Sequence, residues 1–214
     1  MRKLKLQNEE FCPHFIILVM IRITAGKHKN RKVATQLKGK PVVEFRPTAE
    51  RTRLAIFNIL ENSKFIPERF LNDAVVADLF CGSGSFGLEA ISRGGKEVYF
   101  IDSSLEQIQL VKANVAHIKE ESKAHYIRCD VNFLPLARKQ CNIVYLDPPY
   151  NSKMVEKILD KLVEQKWLAE HHVIIIEVSF REKLKLNENF EIFDEREYGK
   201  TKVIFCSHKP KLST

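Results

Sequence analysis

Between residues 74 and 178, short apolar segments alternate with amphipathic segments of helical period, and no other feature constrains the fold as much. Each apolar segment has the length and composition of a strand that is buried on both faces. Strands that alternate with helices form a parallel sheet covered by helices on both sides, which predicts an α/β protein. The predicted strands cover residues 74–80, 97–101, 124–129, 141–146 and 173–178.

Three helices are predicted between these strands, because apolar residues recur there every three or four positions. The first is Ser85–Arg93. The second begins at Ser103–Glu106, which has the sequence of a capping box. The third is capped by Ser152. The apolar face of the second helix is predicted to consist of Leu105, Ile108, Val111, Val115 and Ile118.

The two ends of the chain depart from this alternation. The segments Phe190–Glu197 and Thr201–His208 predict a C-terminal antiparallel hairpin. Near the N-terminus, Ile21–Ala25 and Lys32–Gln36 predict a second, smaller hairpin around a polar turn. A helix that is capped by Thr48 connects this small hairpin to the alternating region.

Composition excludes several classes of protein. The longest apolar run, Phe15–Ile21, has seven residues, whereas a membrane-spanning helix needs about 20. The five cysteines are far apart and form no Cys-x-x-Cys pair, so neither a disulfide framework nor a zinc finger is expected. Adjacent side chains point apart, so His171 and His172 predict no shared metal. Since no export signal is evident either, we expect a cytoplasmic protein without a metal site.

Positive charge is concentrated in one short segment. Residues 21–53 carry ten Lys and Arg against two Glu, whereas residues 54–214 carry 22 basic and 23 acidic residues. A basic segment on a nearly neutral body suits a polyanion, because phosphate contacts release counterions. A solvated basic loop is the alternative. The candidate residues for binding a nucleic acid are Arg22, Lys27, Lys29, Arg31, Lys32 and Arg51.

The segment Asp78–Gly87 contains Gly-x-Gly-x-x-Gly between a predicted buried strand and a helix. Glycines there let the backbone turn tightly and approach a ligand. Asp102 lies twenty residues after Gly82, at the end of the next strand, where a carboxylate can accept hydrogen bonds from the ribose hydroxyls of an adenosine. Asp130, which ends the third strand, can meet the adenine amine. Together these residues predict a ligand that contains a nucleoside.

Asp78 favours S-adenosylmethionine among such ligands. The loop lacks the Lys-Ser/Thr pair of a Walker loop. A dinucleotide site usually has an apolar residue at the position of Asp78 and directs a helix dipole at a pyrophosphate. S-adenosylmethionine has no phosphate, and Asp78 can serve its cationic part directly or through water. The candidate cofactor-binding residues of these motifs are Asp78, Phe80, Gly82, Ser83, Gly84, Asp102, Ser103, Asp130 and Val131.

The fourth strand runs directly into Asp147-Pro148-Pro149-Tyr150. The carboxyl ends of strands are where open α/β sheets bind their ligands. The prolines fix the backbone and leave stiff carbonyl acceptors, so Asp147 and the Pro148 carbonyl can each accept one N–H of an exocyclic amine. The Tyr150 ring can stack on the base. This arrangement predicts methyl transfer to a base amine, driven mainly by positioning, with Asp147, Pro148, Pro149 and Tyr150 as the catalytic candidates.

In this order, the glycine loop, the strand-end acids and the Asp-Pro-Pro-Tyr segment resemble those of class I S-adenosylmethionine-dependent methyltransferases that act on a base amine. The N-terminal part narrows the resemblance. Its segments Arg22–Lys27, Arg31-Lys32, Arg46–Arg51 and Phe57–Leu60 resemble the RsmD family of ribosomal RNA small subunit methyltransferases. The resemblance covers about residues 21–207.

This resemblance implies a Rossmann-like, mostly parallel seven-stranded sheet and a basic N-terminal hairpin that grips RNA. It implies transfer of a methyl group from S-adenosylmethionine to the exocyclic N2 amine of a specific guanine in 16S ribosomal RNA, within a 30S particle or an assembly intermediate. It also implies that Arg46, Pro47 and Thr48 lie near the cofactor and the target, which adds Arg46 and Thr48 to the cofactor-binding candidates. We expect a monomer that does not bind membranes.

We accordingly expect three parts. Residues 1–19 are predicted to be a dispensable extension, with Met20 as a candidate start. Residues 20–47 are predicted to form the RNA-binding hairpin region, and residues 48–214 the methyltransferase domain.

Three other functions stay open on the sequence alone. An NAD-dependent oxidoreductase uses a similar glycine loop, although Asp78 and the Asp-Pro-Pro-Tyr segment count against it. An adenine-N6 methyltransferase that acts on DNA or RNA uses the same acceptor motif, although the chain has no obvious separate DNA-reading domain. A non-catalytic RNA-binding assembly factor would not need intact acids and glycines, and methyl-transfer activity would exclude it.

Overall fold

The computed structural model describes residues 20–36, 47–148 and 152–209. The predicted extension, residues 1–19, lies outside the described residues. Within the described part, the chain forms a seven-stranded sheet with helices on both faces and a separate two-stranded sheet. This arrangement confirms the α/β class that the alternation of strands and helices predicts.

The two-stranded sheet is the predicted N-terminal hairpin. It pairs β1 (Met20–Arg22) antiparallel with β2 (Lys32–Ala34), so both strands are shorter than predicted. The polar turn between them is closed by backbone hydrogen bonds, including Asn30 N–H to the Ile23 carbonyl at 2.8 Å. Ile23 and Val33 are buried against the main domain, which joins this hairpin to the core.

The large sheet consists of β3 (Val75–Leu79), β4 (Glu97–Asp102), β5 (Ala124–Arg128), β6 (Cys141–Leu146), β7 (Leu168–Ser179), β8 (Phe190–Tyr198) and β9 (Thr201–His208). Its strand order is β5-β4-β3-β6-β7-β9-β8. The five strands that come first in sequence are parallel, and the last two form the predicted antiparallel hairpin. The strand order reverses between β3 and β6.

β3 shows why these apolar segments form central strands. All five of its residues are buried. Because side chains alternate along a strand, Val75, Ala77 and Leu79 join the core on one face and Val76 joins the core on the other. The second face also carries Asp78, a buried carboxylate in an otherwise apolar layer. Asp78, the charged residue in this apolar strand, therefore marks the face of the sheet that carries the candidate site.

Two helix starts differ from the prediction. Thr48 does not cap the first helix, because that helix already begins at Pro47. Proline is favoured at the first position of a helix, because an N–H group there has no acceptor within the helix. The capping box predicted at Ser103–Glu106 is shifted by one residue, because the Ser104 hydroxyl accepts the Gln107 N–H at 3.4 Å. The helices are α1 (Pro47–Asn62), α2 (Ser85–Ser92), α3 (Leu105–Ile118) and α4 (Ser152–Glu164).

The apolar face of α3 is narrower than predicted. Ile108, Val111, Val115 and Ile118 are buried, whereas Leu105 at the first position of the helix is 49% exposed. In the described part of the chain, no helix is long and apolar enough to cross a bilayer.

Candidate functional site

The two predicted motifs follow neighbouring parallel strands. Leu79 of β3 pairs with Leu146 of β6, so Phe80 and the glycine loop lie beside Asp147 at the carboxyl edge of the sheet. The strand order reverses between these two strands. In open α/β sheets this reversal opens a crevice in which ligands bind. The fold therefore brings the predicted cofactor loop and the predicted acceptor motif to one crevice.

The glycines of the loop have two different tasks. Gly82 has a φ of 52°, and a Cβ added there would meet nothing closer than the Phe80 carbonyl oxygen at 3.9 Å. A Cβ at Gly84 would lie 3.1 Å from Phe100, and one at Gly87 would lie 2.4 Å from the same ring. Gly82 thus keeps an open side for a ligand, while Gly84 and Gly87 allow α2 to pack closely on β4.

Phe80 adds strain to the same turn. Its φ of 59° places a non-glycine residue in the left-handed region. Such residues cost about 1–3 kcal/mol and concentrate at functional sites. The half-buried Ser83 is the next candidate along the loop, and its carbonyl accepts a hydrogen bond from the Asn114 amide at 3.0 Å.

Asp102 braces the loop from the end of β4. Its Oδ2 accepts the Gly82 N–H at 3.1 Å, and its Oδ1 accepts the Ser104 N–H at 2.9 Å. Each carboxylate oxygen has further lone pairs for hydroxyl donors. Ser103, between them, is exposed. Asp102 therefore holds the glycine loop in place and can still accept hydrogen bonds from a ribose.

Asp78 is the buried acid of the crevice. It is 1% exposed, and its Oδ2 accepts the Gly87 N–H at 3.0 Å. Burial raises the pKa of Asp78 well above its ordinary value, the Gly87 hydrogen bond opposes this rise, and the nearby Asp147 and Asp102 carboxylates add to it. Three acids thus lie close together at the ends of β4, β3 and β6. A cationic ligand would relieve their repulsion, whereas a phosphate would increase it.

This charge pattern fits S-adenosylmethionine, which carries a sulfonium and an ammonium group. The open side of Gly82 leaves room for the ligand backbone, and Asp102 follows the next strand for the ribose. Cys81 is buried and burial raises the pKa of its thiol, so it packs in the core rather than acting as a nucleophile. The donor set and the glycine loop therefore fit this cofactor.

Asp130 follows β5 farther along the same edge. Its Oδ1 accepts the Asn132 backbone N–H at 2.9 Å and caps a short 3-10 turn. Val131 is buried, whereas Phe133 is 80% exposed. The exposed Asp130 carboxylate keeps the strand-end position predicted for an adenine contact.

The acceptor motif is only partly described. Asp147 is exposed and Pro148 is buried directly after β6. The predicted roles of Pro149 and Tyr150 fall outside the described residues. The same is true of Arg46 and of the Thr48 side chain, so predictions for these four residues stay predictions.

The sequence pattern did not indicate a neighbouring cluster of Tyr145, Glu177 and Phe86. The Tyr145 hydroxyl donates a hydrogen bond of 2.7 Å to Oε2 of Glu177 on β7. The Tyr145 ring stacks on Phe86 with a centroid distance of 4.1 Å. Burial raises the pKa of Glu177, while the Tyr145 hydrogen bond and the charge of Arg53 act in the opposite direction. The available signal was a single acid within the apolar run 173–178.

The basic hairpin is fixed to the main domain through a buried carboxylate. Glu89 of α2, which is fully buried, accepts the Thr24 N–H at 2.8 Å and the Ala25 N–H at 3.0 Å. Arg93 donates to the same carboxylate at 2.8 Å. A Cβ on Gly26 would lie only 1.9 Å from the Ser92 carbonyl oxygen. The turn therefore contacts the end of α2 closely and has a defined orientation.

The RNA-binding candidates form two groups. Lys27 Nζ lies 2.7 Å from Glu120, and Arg31 donates to the His117 carbonyl at 3.2 Å, so both residues also tie the hairpin to the end of α3. The other candidates are exposed without such a tether in the described structure and present their charge to solvent: Arg22, Lys29, Lys32 and, on α1, Arg51.

Comparison with known proteins agrees with this architecture. Residues 21–207 match the family described as conserved hypothetical protein 95. Ribosomal RNA small subunit methyltransferase D of Escherichia coli K12 is 33% identical over 162 residues, which cover 73% of this chain and 74% of that protein. An uncharacterized methylase of Rickettsia prowazekii is 26% identical and covers 90% of this chain and 100% of that protein.

A solved structure gives the same result. An Escherichia coli protein that is provisionally named a methyltransferase superposes with a TM-score of 0.72 and 26% identity, over 89% of this chain and 99% of that chain. The fold is thus that of class I methyltransferases, which use S-adenosylmethionine, and the strand order, the glycine loop and the family match agree. The chain therefore belongs to the RsmD family of methyltransferases.

Proposed function

We propose that this protein methylates the exocyclic N2 amine of a specific guanine in small-subunit ribosomal RNA. The observation that supports this most strongly is the pairing of β3 with β6, since it sets the glycine loop beside Asp147 across the crevice. A methyl donor held by the loop and an amine held by Asp147 would then be neighbours. Holding two reactants in this way supplies most of the acceleration for a displacement of this kind.

The residues of the crevice divide the work. S-adenosylmethionine, when bound, supplies an electrophilic methyl group. Asp102 and Gly82 would hold its adenosine part, and Asp78 would face its cationic part. Asp147 and the Pro148 carbonyl would each accept one N–H of the target amine, which orients the nitrogen lone pair. A base without that amine leaves an acceptor unpaired, at a cost of about 1–3 kcal/mol.

Ribosomal RNA is proposed as the substrate from the relatives and from charge. The Escherichia coli relative is named for the small ribosomal subunit. The exposed cations of the docked hairpin, Arg22, Lys29 and Lys32, lie in the segment 21–53 with its balance of +8, which suits an RNA backbone. We infer that the protein acts in the cytoplasm as a monomer, on a 30S particle or an assembly intermediate, and that residues 20–47 grip the RNA while residues 48–214 carry the chemistry.

Mass spectrometry of nucleosides tests the function. Small subunits from a strain that lacks the gene are incubated with the protein and S-adenosylmethionine, and the digested RNA is analysed. We expect one N2-methylguanosine per particle. Asp147→Ala should lower the rate at least about 100-fold while cofactor binding survives, and exposed Glu156→Gln on α4 should match the wild type. N6-methyladenosine, or no new methyl group, would refute the proposal.

A further inference from the structure

Glu177 lies next to the acceptor motif on the same face of the sheet. Leu146 of β6 pairs with Ile176 of β7, so we expect the residues that follow this pair, Asp147 after the end of β6 and Glu177 within β7, to be neighbours. Glu177 accepts a hydrogen bond from Tyr145, which precedes Asp147 by two residues and therefore points to the same side. The proposed amine acceptor thus has a second carboxylate beside it.

The Glu177 carboxylate is held in a fixed orientation. The Tyr145 hydroxyl bonds Oε2 at 2.7 Å, and the Tyr145 ring is itself stacked on Phe86 at 4.1 Å with only 5° between the planes. Phe86 in turn stacks on Phe57 at 4.8 Å. In the described part of the chain, no hydrogen bond reaches Oε1 of Glu177. The Tyr145 hydrogen bond thus anchors Oε2, and Oε1 has lone pairs that can accept a hydrogen bond from a ligand.

Guanine and adenine differ at N1, the ring atom next to the carbon that bears the amine. Guanine has an N1–H next to its N2 amine, so this edge offers adjacent donors. Adenine has a bare N1 acceptor next to its N6 amine. A pair of carboxylates suits the guanine edge, whereas a carboxylate facing the lone pair of adenine N1 is repulsive. Repulsion of this kind is a common source of specificity.

We propose that Glu177, positioned by Tyr145, accepts the N1–H of the target guanine and so selects guanine over adenine. This inference rests on the proposed function, because it presumes that the target amine is bound at Asp147. Asp147 would take the amine that receives the methyl group, and Glu177 would identify the base that carries it. Tyr145 would be a positioning residue that does not touch the base.

A modified target base tests this role. Small-subunit particles are reconstituted with RNA that carries 2-aminopurine at the target position. This base keeps the 2-amino group but lacks both the N1 hydrogen and the O6 atom of guanine. The wild-type enzyme should methylate 2-aminopurine with a kcat/KM about 10- to 100-fold lower than guanine, because Glu177 would face a lone pair. Equal rates on the two bases would overturn the inference.

Glu177→Gln should narrow or reverse this preference. With one amide oxygen kept by Tyr145, the NH₂ group would face N1 and would suit 2-aminopurine better than guanine. Tyr145→Phe should narrow the preference with an unchanged Kd for S-adenosylmethionine, and exposed Glu191→Gln on β8 should change neither. Equal losses on both bases would mark Glu177 as merely structural and overturn the inference. If Glu177→Gln does not fold, the change of preference in Tyr145→Phe decides, because it acts through Glu177.

Failure of the inference and failure of the proposed function give different results. If the wild type makes N2-methylguanosine but does not distinguish 2-aminopurine, the inference is wrong and the function stands. If the wild type methylates neither base, the proposed function itself is wrong.

Discussion

Replacing Asp78 by asparagine should stabilise the free protein. Asparagine has the same shape and keeps an acceptor for the Gly87 N–H, which now lies 3.0 Å from Oδ2. It removes a charge that is 1% exposed and lies near the Asp102 and Asp147 carboxylates. Removing an uncompensated buried charge is worth about 1–3 kcal/mol. For a chain of this size, this corresponds to a rise in Tm of about 2–12 °C.

The pH dependence of this gain follows from the raised pKa of Asp78. An acid with a raised pKa in the folded state holds its proton more tightly there than in the unfolded state. Its contribution to stability is therefore present at low pH and is lost as the pH rises through the folded pKa. The Tm difference between Asp78→Asn and the wild type should be largest at neutral pH and should shrink on acidification.

The same substitution should weaken cofactor binding. If Asp78 faces the cationic part of S-adenosylmethionine, losing its charge should raise the Kd about 10- to 100-fold, as is usual for a hydrogen bond to a charged group. Calorimetric titration measures the Kd, and scanning calorimetry without ligand measures the Tm. Glu156→Gln on the exposed face of α4 is the matched control. A lower Tm, or an unchanged Kd, would show that the charge of Asp78 does not have this role.

Two further tests address the loop and the hairpin. Gly82→Ala should raise the Kd for S-adenosylmethionine at least about tenfold with only about 1–2 kcal/mol of destabilisation, whereas Gly87→Ala should mainly lower the Tm, because its Cβ would lie 2.4 Å from a core ring. Identical effects in both assays would contradict the division of tasks between these glycines. The triple variant Arg22→Ala, Lys29→Ala, Lys32→Ala should lower the slope of log K for RNA against log salt by about 2–3. An unchanged slope would place the RNA grip elsewhere.

Most of the fold follows from local patterns in the sequence. The run Val75–Leu79 is apolar on both faces and is a central strand, and the pair Phe190–Glu197 and Thr201–His208 forms the C-terminal hairpin as predicted. The predicted first residues of two helices were wrong. Thr48 does not occupy the predicted cap position, because Pro47 is itself a suitable first helical residue. The exact first residue of a helix depends on a single residue, so the sequence pattern specifies it only weakly.

The candidate site was predictable where one motif follows one strand end. Asp78, Asp102 and Asp147 were all identifiable because each lies at or next to the carboxyl end of a strand of the alternating region. Their mutual proximity was not, because it depends on the strand order, which local patterns do not specify. Glu177 and Tyr145 were missed for the same reason. They lie 32 residues apart, and only the pairing of β6 with β7 brings them to 2.7 Å.

The central claim is that a methyl donor and a base amine meet at the crevice between β3 and β6. A crystal structure with bound S-adenosylmethionine tests this most directly. We expect ribose hydroxyls within about 2.6–3.2 Å of the Asp102 carboxylate. We also expect the adenosyl group over Gly82 and the sulfonium methyl directed toward Pro148. Cofactor bound away from Gly82, or an Asp147-Pro148 corner that faces away from the methyl group, would contradict it.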